Sequence, residues 1–409
     1  MNDAVERLLL RGIADGAFPA AQACAIQHGR LLFDVAAGAR NGAGAPVDVS
    51  TRFDVASLTK VMATTTAAWV LLSGGALDLD DPVSRWFPAF ADGGPKSRVT
   101  VRHLLAHTSG LPAWRPLFAP LLRAPELSAL YPGAGGPEPA IVSPEAKAAT
   151  HRKLLGTARR VLLDAAASAP LETEPGRACV YSDLGFVLLG EILAACAGMP
   201  LDRFASQWIF VPLGLSATGF GSLPFHGDPG AFACTGRTRP REPAKGQEGL
   251  YEIPPQRERD DAGEVDDDNC WAMGGVSGHA GLFSTARDVA SWGDAVREDR
   301  EGARRLGDPE TLERLLALDP HPEGPPRALG FDVPSGPRSS AGTRLGLAGE
   351  RGARGHLAFT GCSVWIDFDR GLTVALLTNR VYPSRSNEAG IRAFRPAFHD
   401  AVIEALEGR

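Results

Sequence analysis

Phe53-Asp54-Val55-Ala56-Ser57-Leu58-Thr59-Lys60 is the stretch that decides the interpretation of this chain, and it leads into the apolar segment 61–72. Residues three apart at the start of a helix lie on one face, so Ser57 and Lys60 are expected to be neighbours. The lysine amine can then take the serine proton. The helix N-terminus also offers backbone N–H groups to an oxygen that becomes negative. This Ser-x-x-Lys spacing is typical of serine enzymes that transfer acyl groups.

A lone Ser-x-x-Lys match is a weak signal, because most such pairs lie on a solvated helix face. The basic composition strengthens it here, since only five of the 42 basic residues are lysines. Arginine keeps its proton at ordinary pH, whereas lysine can lose it. A lysine at position 60 of an arginine-rich chain therefore favours a general base.

The composition is that of a globular protein longer than one ordinary domain, with 409 residues, 44% hydrophobic and 22% charged. The net charge of −6 argues against nucleic acid as the main partner. No apolar run approaches the roughly 20 residues that span a bilayer, and the polar start lacks a signal-peptide pattern. We therefore expect a cytoplasmic protein without a membrane partner. The six scattered cysteines are expected to be free thiols rather than zinc ligands.

Strand patterns lie at both ends of the chain and helical patterns lie between them. Strands are predicted at 20–26, 31–37, 356–368 and 371–379, and helices at 3–15, 57–73, 144–167, 184–197, 201–209, 285–296 and 387–408. This order predicts an α/β (α+β) domain formed by residues 1–95 and 275–409, with a mainly α-helical domain inserted at 96–274. Residues 112–175, with a Gly/Pro break at 131–139, and the irregular segment 222–268 are expected to set substrate size.

Tyr181-Ser182-Asp183 precedes an apolar helix and supplies a second candidate base. A tyrosine at such a turn often only packs, but a phenolate beside an ammonium is favoured electrostatically, so Tyr181 and Lys60 can share one proton. With this motif the chain resembles the serine β-lactamase-related family of class C β-lactamases, D-Ala-D-Ala carboxypeptidases and β-lactamase-like esterases. The resemblance covers nearly the whole chain and rests on five segments in family order: 57–60 (SLTK), 104–111 (LLAHTSGL), 181–185 (YSDLG), 274–285 (GGVSGHAGLFST) and 355–361 (GHLAFTG).

The resemblance implies a β-lactamase-like (transpeptidase-like) fold, an antiparallel sheet flanked by helices with an all-α domain. It implies that Ser57 is the nucleophile that forms an acyl-enzyme, with Lys60 and Tyr181 acting together as base and then acid. His356 stands where the family has the Lys or His of its third motif. The implied oxyanion hole consists of the backbone N–H groups of Ser57 and Phe359. No metal or organic cofactor is implied.

Three positions depart from the family pattern. The second motif usually ends in Asn, which holds a substrate amide, but here it ends in Asp183, which only accepts hydrogen bonds when ionised. The third motif usually continues with Thr or Ser and then Gly, but here it continues with Leu357 and Ala358. Leu357 has no hydroxyl for a substrate carboxylate, and Ala358 adds a methyl group. The substrate-binding candidates are Asp183, Trp114, Leu357 and Thr360.

The remaining motif residues have structural explanations that we weigh more heavily. His107 within 107–110 is expected to support a turn, and His279 is expected to lie in a close-packed loop, with lining of the site as its alternative. The acidic run 264–269 has no EF-hand spacing and is predicted to be a solvated loop beside the cleft. Cys270 and Cys362 lie near the motifs, but no Cys-His pairing indicates a nucleophilic thiol.

These observations leave three functions open. The favoured one is a serine hydrolase of carboxylic esters or small amides, because Leu357 replaces the hydroxyl residue. The alternative is a β-lactamase, D-Ala-D-Ala carboxypeptidase or D-aminopeptidase acting on β-lactams or cell-wall peptides, because Ser57, Lys60 and Tyr181 are all present. A non-catalytic binding module with the same fold is the third. The expected partner is a small molecule, and the sequence does not fix an oligomeric state.

Overall fold

The computed structural model describes residues 1–122, 144–221, 228–239, 257–336, 339–346 and 352–408. Within these ranges the chain forms three antiparallel sheets surrounded by helices. The strands are β1 (Ala20–Gln27), β2 (Arg30–Gly38), β3 (Phe53–Asp54), β4 (Gly219–Phe220), β5 (Cys234–Arg239), β6 (Arg257–Ala262), β7 (Leu282–Ser284), β8 (Ala353–Leu357), β9 (Ser363–Asp367) and β10 (Leu372–Thr378).

The helices of the described ranges include a counterpart of each predicted helix. They are α1 (Asn2–Ala14), α2 (Thr66–Ser73), α3 (Val101–Leu105), α4 (Ala119–Leu122), α5 (Pro144–Ser168), α6 (Asp183–Ala197), α7 (Leu201–Ala205), α8 (Asp268–Ala272), α9 (Ala286–Arg300), α10 (Pro309–Leu316) and α11 (Glu388–Glu407). Wide π-type turns at Lys60–Thr65 lead into α2, and similar turns at Ser206–Phe210 extend α7.

The main sheet has five strands in the order β2-β1-β10-β9-β8, so strands from both ends of the chain lie side by side. β1 and β2, which correspond to the predicted strands 20–26 and 31–37, form a hairpin. Its two linking residues, His28 and Gly29, have φ values of 47° and 76°. Such left-handed pairs suit a two-residue hairpin turn, because their twist matches that of the strands.

Alternation along β1 divides its side chains between two apolar cores. Ala21, Ala23 and Ala25 pack with α1 and α11, whereas Ala20 and Cys24 belong to the larger core that contains α9. The period of two follows from the pleat of a strand. The mixture of helices and antiparallel sheets confirms the predicted α/β (α+β) fold class. The predicted division into two domains stays a prediction.

Two predicted elements need correction. The segment 356–368 is not one strand, because it turns back at 358–362 between β8 and β9. Gly361 has a φ of 96° there, and an added Cβ would lie 2.0 Å from Thr378 Oγ1. The segment 222–268 is not wholly irregular, because β5 and β6 pair within it. The predictions for 131–139, 222–227 and 240–256 lie outside the described residues.

No single described helix is long and apolar enough to cross a membrane. α6 and the segment Leu201–Phe210 reach the required length only together, and they are bent by 71° relative to each other.

Candidate active site

A cavity of about 490 Å³ opens beside Ser57 and brings together most of the predicted site. Residues of the segments 57–60, 181–185, 274–285 and 355–361 line it together with residues from elsewhere in the chain. The lining residues are Ala56, Ser57, Trp114, Tyr181, Asp183, Asp266, Asp267, Asp268, His279, Ala280, Arg327, Asp332, His356, Leu357, Ala358, Phe359, Arg385, Glu388 and Arg392. Lys60 lies beneath Ser57 and is fully buried.

Ser57 sits at the tight turn between β3 and the helix that begins with the wide turns. Ala56 immediately before it has a φ of 42°, and its N–H donates to Asp54 Oδ1 at 2.8 Å. Thr59 and Lys60 donate their N–H groups to the carbonyls of Ala56 and Ser57, which starts the helix. Within the described part of the chain the N–H of Ser57 donates no hydrogen bond. That amide is therefore open to an oxygen in the cavity.

Lys60 Nζ is surrounded by oxygen atoms. It lies 3.0 Å from Ser57 Oγ, 3.0 Å from the carbonyl oxygen of His279 and 2.7 Å from Asp183 Oδ1. The first two contacts are hydrogen bonds, and the third is an ion pair. Burial alone lowers the pKa of Lys60, but the charge of Asp183 and the nearby Tyr181 outweigh burial and raise it.

Tyr181 completes the group, because its ring centroid lies 4.9 Å from Lys60 Nζ. Burial raises the pKa of the Tyr181 phenol, Lys60 opposes this, and the charge of Asp183 raises it further. The following residue, Ser182, caps α6 through its hydroxyl and donates its N–H to His107 Nδ1 at 2.9 Å. These two hydrogen bonds of Ser182 hold the backbone directly after Tyr181 and so place its ring.

His107 supports this arrangement from behind. Its ring lies 4.6 Å from the Tyr181 ring and 4.9 Å from that of Phe186. Burial lowers its pKa well below the ordinary value, helped by the charges of Arg327 and Lys60. A neutral, stacked histidine that accepts a backbone N–H agrees with the structural role expected for it.

His356 faces the tyrosine from β8, with ring centroids 5.9 Å apart. Its Nδ1 lies 2.6 Å from the carbonyl oxygen of Leu357, whereas its buried Nε2 has no hydrogen-bond partner among the described residues. Burial lowers its pKa to about 4. The carboxylate of Asp332 opposes this shift, and the cations Lys60 and Arg327 add to it. The ring is therefore neutral at ordinary pH, with one nitrogen left for a substrate.

The end of β8 and the turn after it bring Leu357, Ala358 and Phe359 to the cavity. The N–H of Phe359 donates no hydrogen bond within the described ranges, as for Ser57. Thr360, a predicted substrate-binding residue, does not line the cavity. It is 1% exposed, and its hydroxyl donates to the carbonyl oxygen of Asp54 at 2.8 Å. Its position instead ties this turn to the strand that leads to Ser57.

Asp183 and Trp114 lie at the cavity wall as expected of substrate-binding residues. Asp183 is the first residue of α6, and its side chain is 19% exposed. The ion pair with Lys60 was not expected from the sequence. Trp114 is half-buried and packs on the core.

The acidic run is not the solvated loop that was predicted. Asp266 and Asp268 are 2% and 4% exposed, and Arg385 pairs with both at 3.1 and 3.2 Å. Asp267 caps α8 and lies 2.9 Å from His279 Nε2. His279 thus lines the cavity, and its backbone carbonyl also holds Lys60. No cluster of His, Cys, Asp or Glu within the described ranges is arranged to hold a metal ion.

Arg327 is a site residue that the sequence analysis missed. Its guanidinium lies 5.2 Å from the Tyr181 ring centroid and pairs with Asp332. It sits in a loop without a motif, so only its approach to Tyr181 in space reveals it. Cys270 and Cys362 are buried, and burial raises the pKa of both thiols, that of Cys362 to about 11. Neither thiol is therefore suited to act as a nucleophile.

The fold and this constellation define a class of serine hydrolases with the β-lactamase fold. The model of the Beta-lactamase family matches residues 5–395, and the chain belongs to that family. It is 32% identical over 393 residues to "N-acetylmuramyl-L-alanine amidase" of Bacillus subtilis, covering 92% of this chain and 80% of that protein. It is 30% identical to a "Putative D-alanyl-D-alanine carboxypeptidase" of Salmonella typhimurium, covering 83% of this chain and 71% of that protein.

Solved structures show the same fold. "EstCE1, a hydrolase with promiscuous acyltransferase activity" superimposes with a TM-score of 0.64 at 25% identity, covering 96% of this chain and 98% of that one. D-amino acid amidase from Ochrobactrum anthropi SV3 superimposes with a TM-score of 0.66 at 20% identity, covering 100% and 99%.

Proposed function

We propose that this protein is a serine hydrolase that forms an acyl-enzyme on Ser57. The observation that carries the proposal is the 3.0 Å contact between Ser57 Oγ and Lys60 Nζ at the edge of a cavity, beside two unbonded backbone amides. A nucleophile beside a base, with donors where an oxyanion forms, is the arrangement that acyl transfer requires.

The reaction needs the Lys60–Tyr181 pair to hold one proton fewer than in the ion-paired state. The pair then takes the Ser57 hydroxyl proton while Oγ bonds to the substrate carbonyl carbon. The carbonyl electron pair moves to oxygen, where the amides of Ser57 and Phe359 receive the charge. The same proton passes to the leaving oxygen or nitrogen as its bond to carbon breaks. Water repeats these steps on the acyl-enzyme and regenerates Ser57.

The charged lining favours a polar amide as the substrate. Asp183 presents a carboxylate, Arg327 a guanidinium and His356 an unpartnered ring nitrogen. A ligand that does not match the buried His356 Nε2 leaves this nitrogen without a hydrogen bond, so His356 selects a polar ligand. The relatives named as a muramyl-alanine amidase and a D-alanyl-D-alanine carboxypeptidase support an amide of cell-wall type.

Hydrolysis of a carboxylic ester is the second candidate. Leu357 supports it, because this position has no hydroxyl for a peptide carboxylate, and the likeness to EstCE1 supports it as well.

Parallel assays distinguish these substrates. Muramyl dipeptide, p-nitrophenyl butyrate and a chromogenic cephalosporin are incubated with the wild type, Ser57→Ala and the matched control Ser50→Ala, which alters an exposed serine away from the cavity. The proposal expects amide cleavage that Ser57→Ala abolishes and Ser50→Ala retains. Turnover of the ester alone selects the second candidate, and turnover that survives in Ser57→Ala contradicts both.

A further inference from the structure

Two buried arginines that the proposed mechanism does not use converge on the turn that carries the Phe359 amide. Arg395 of α11 is 7% exposed, and it donates to the carbonyl oxygens of Ala358 at 2.5 Å and Gly361 at 3.0 Å. Arg380 is 3% exposed and donates to the carbonyl oxygen of Phe359 at 2.6 Å. Neither forms an ion pair with a described carboxylate.

A buried cation without an anion is costly, so its contacts need a reason. Burial lowers the pKa of Arg395 to about 10. The turn does not need this charge to close, because Ala358 N–H already donates to Cys362 O at 2.8 Å and Gly361 N–H to Ala358 O at 3.1 Å. Arg395 therefore adds a charge to a carbonyl that already accepts a hydrogen bond.

The planar peptide bond connects this carbonyl to the candidate oxyanion hole. In a trans peptide the C=O of Ala358 and the N–H of Phe359 point in opposite directions. A carbonyl that faces Arg395 consequently turns the Phe359 N–H away from the arginine. That N–H is unbonded, and Phe359 lines the cavity together with Ser57. Hydrogen bonds in a chain polarise one another, so a cation on the carbonyl strengthens the N–H as a donor.

The turn is also held at a set distance from the nucleophile. The Thr360 hydroxyl donates to the Asp54 carbonyl, and Asp54 Oδ1 accepts the N–H of Ala56, the residue before Ser57. The two amides therefore belong to one hydrogen-bonded unit.

We propose that Arg395 is a positioning residue that orients and polarises the Phe359 N–H for the oxyanion. This inference rests on the proposed function. The charge of Arg395 acts on the oxyanion through one peptide group, so Arg395 stabilises the charged transition state more than the neutral substrate.

Arg395→Met, Arg395→Lys and Arg297→Met test the proposal with p-nitrophenyl butyrate as substrate. Arg297 is the matched control, because it is 4% exposed and ion-paired within α9, away from the cavity. We expect Arg395→Met to lower kcat about tenfold or more per titrated active site, with KM within about twofold. Arg395→Lys retains a cation and is expected to recover most of kcat. Arg297→Met is expected to lower Tm and leave kcat unchanged.

Phenylboronic acid supplies a readout that a merely structural role would not move. It bonds to a nucleophilic serine as a tetrahedral anion whose oxygen occupies the oxyanion hole. Its Ki is expected to rise in Arg395→Met by the factor by which kcat/KM falls. An unchanged Ki, or a loss of kcat no larger than that of Arg297→Met, overturns the inference while the proposed function stands. Wild-type turnover that survives in Ser57→Ala instead overturns the proposed function itself.

Discussion

The replacement Asp183→Asn tests whether the charge of Asp183 keeps a proton on the Lys60–Tyr181 pair. Asp183 Oδ1 lies 2.7 Å from Lys60 Nζ, where the family resemblance leads one to expect an amide. The carboxylate raises the pKa of Lys60 and adds to the burial that raises the pKa of Tyr181. Whichever of the two groups loses the proton, Asp183 opposes the loss. Removing its charge therefore moves the acidic limb of the kcat/KM profile to lower pH.

The size of this effect follows from the distance. Two opposite unit charges 2.7 Å apart attract by about 6 kcal/mol at an effective dielectric constant of about 20. The asparagine oxygen keeps a partial negative charge beside Lys60, which offsets part of the loss. If about a quarter of the attraction, ~1.5 kcal/mol, remains as the difference, kcat/KM on the acidic limb rises about tenfold relative to its alkaline plateau.

The assay is kcat/KM for p-nitrophenyl butyrate between about pH 6 and about pH 9, with active sites titrated at each pH. Asp202→Asn is the matched control, because Asp202 occupies the first turn of the neighbouring α7 and does not contact Lys60. A profile of Asp183→Asn that superimposes on the wild type, with intact active sites, would refute the proposed electrostatic role.

Three further predictions concern catalysis and stability. Tyr181→Phe keeps the ring that packs against His107 but loses the hydroxyl, and kcat is expected to fall by about 10²–10⁴ with little change in Tm. Gly278→Ala places a Cβ 2.1 Å from a backbone oxygen, and chemical denaturation is expected to show a free energy of unfolding lower by about 1–3 kcal/mol. Gly156→Ala meets nothing within 4 Å and is expected to show no such loss. His356 and His399 are buried with pKa values lowered to about 4 and about 3, mainly by burial. The unfolded chain therefore binds more protons below about pH 6.5, and each histidine lowers the free energy of unfolding by about 2 kcal/mol between about pH 6.5 and about pH 5. His399→Gln is expected to reduce this pH dependence, and an unchanged slope would contradict its assignment.

Local sequence patterns predicted much of the fold, because hairpin turns, helix caps and alternating burial are encoded over a few residues. Thr285, the first residue of the predicted helix 285–296, is an example, since its side chain accepts the N–H of Asp288 and caps α9. The turn at 358–362 was missed, because its apolar residues continue the pattern of the flanking strands and only Gly361 marks the reversal. Such a short reversal is decided by tertiary contacts.

Of the site residues, too, some were predicted from local motifs and others depend on tertiary contacts. Ser57, Lys60 and Tyr181 lie in recognisable motifs, and the structure brings them together. Arg327 and Arg395 lie in no motif. Arg327 contacts the Tyr181 ring and Arg395 contacts backbone carbonyls, and these partners are far away in the sequence, so no local pattern indicates either arginine. Asp183 was noted as a departure, but its ion pair depends on how α6 is placed against Lys60. Long-range charge placement of this kind is not readable from residue spacing.

Acylation of Ser57 is the central claim, and p-nitrophenyl trimethylacetate tests it most directly, because its bulky acyl group slows hydrolysis of the ester intermediate. Intact mass and peptide mapping after mixing are expected to show a single acyl group on Ser57, formed together with a burst of nitrophenol. The adduct and the burst are expected to be absent from Ser57→Ala. Turnover without an adduct on Ser57, or an adduct on another residue that accounts for the burst, would contradict the account.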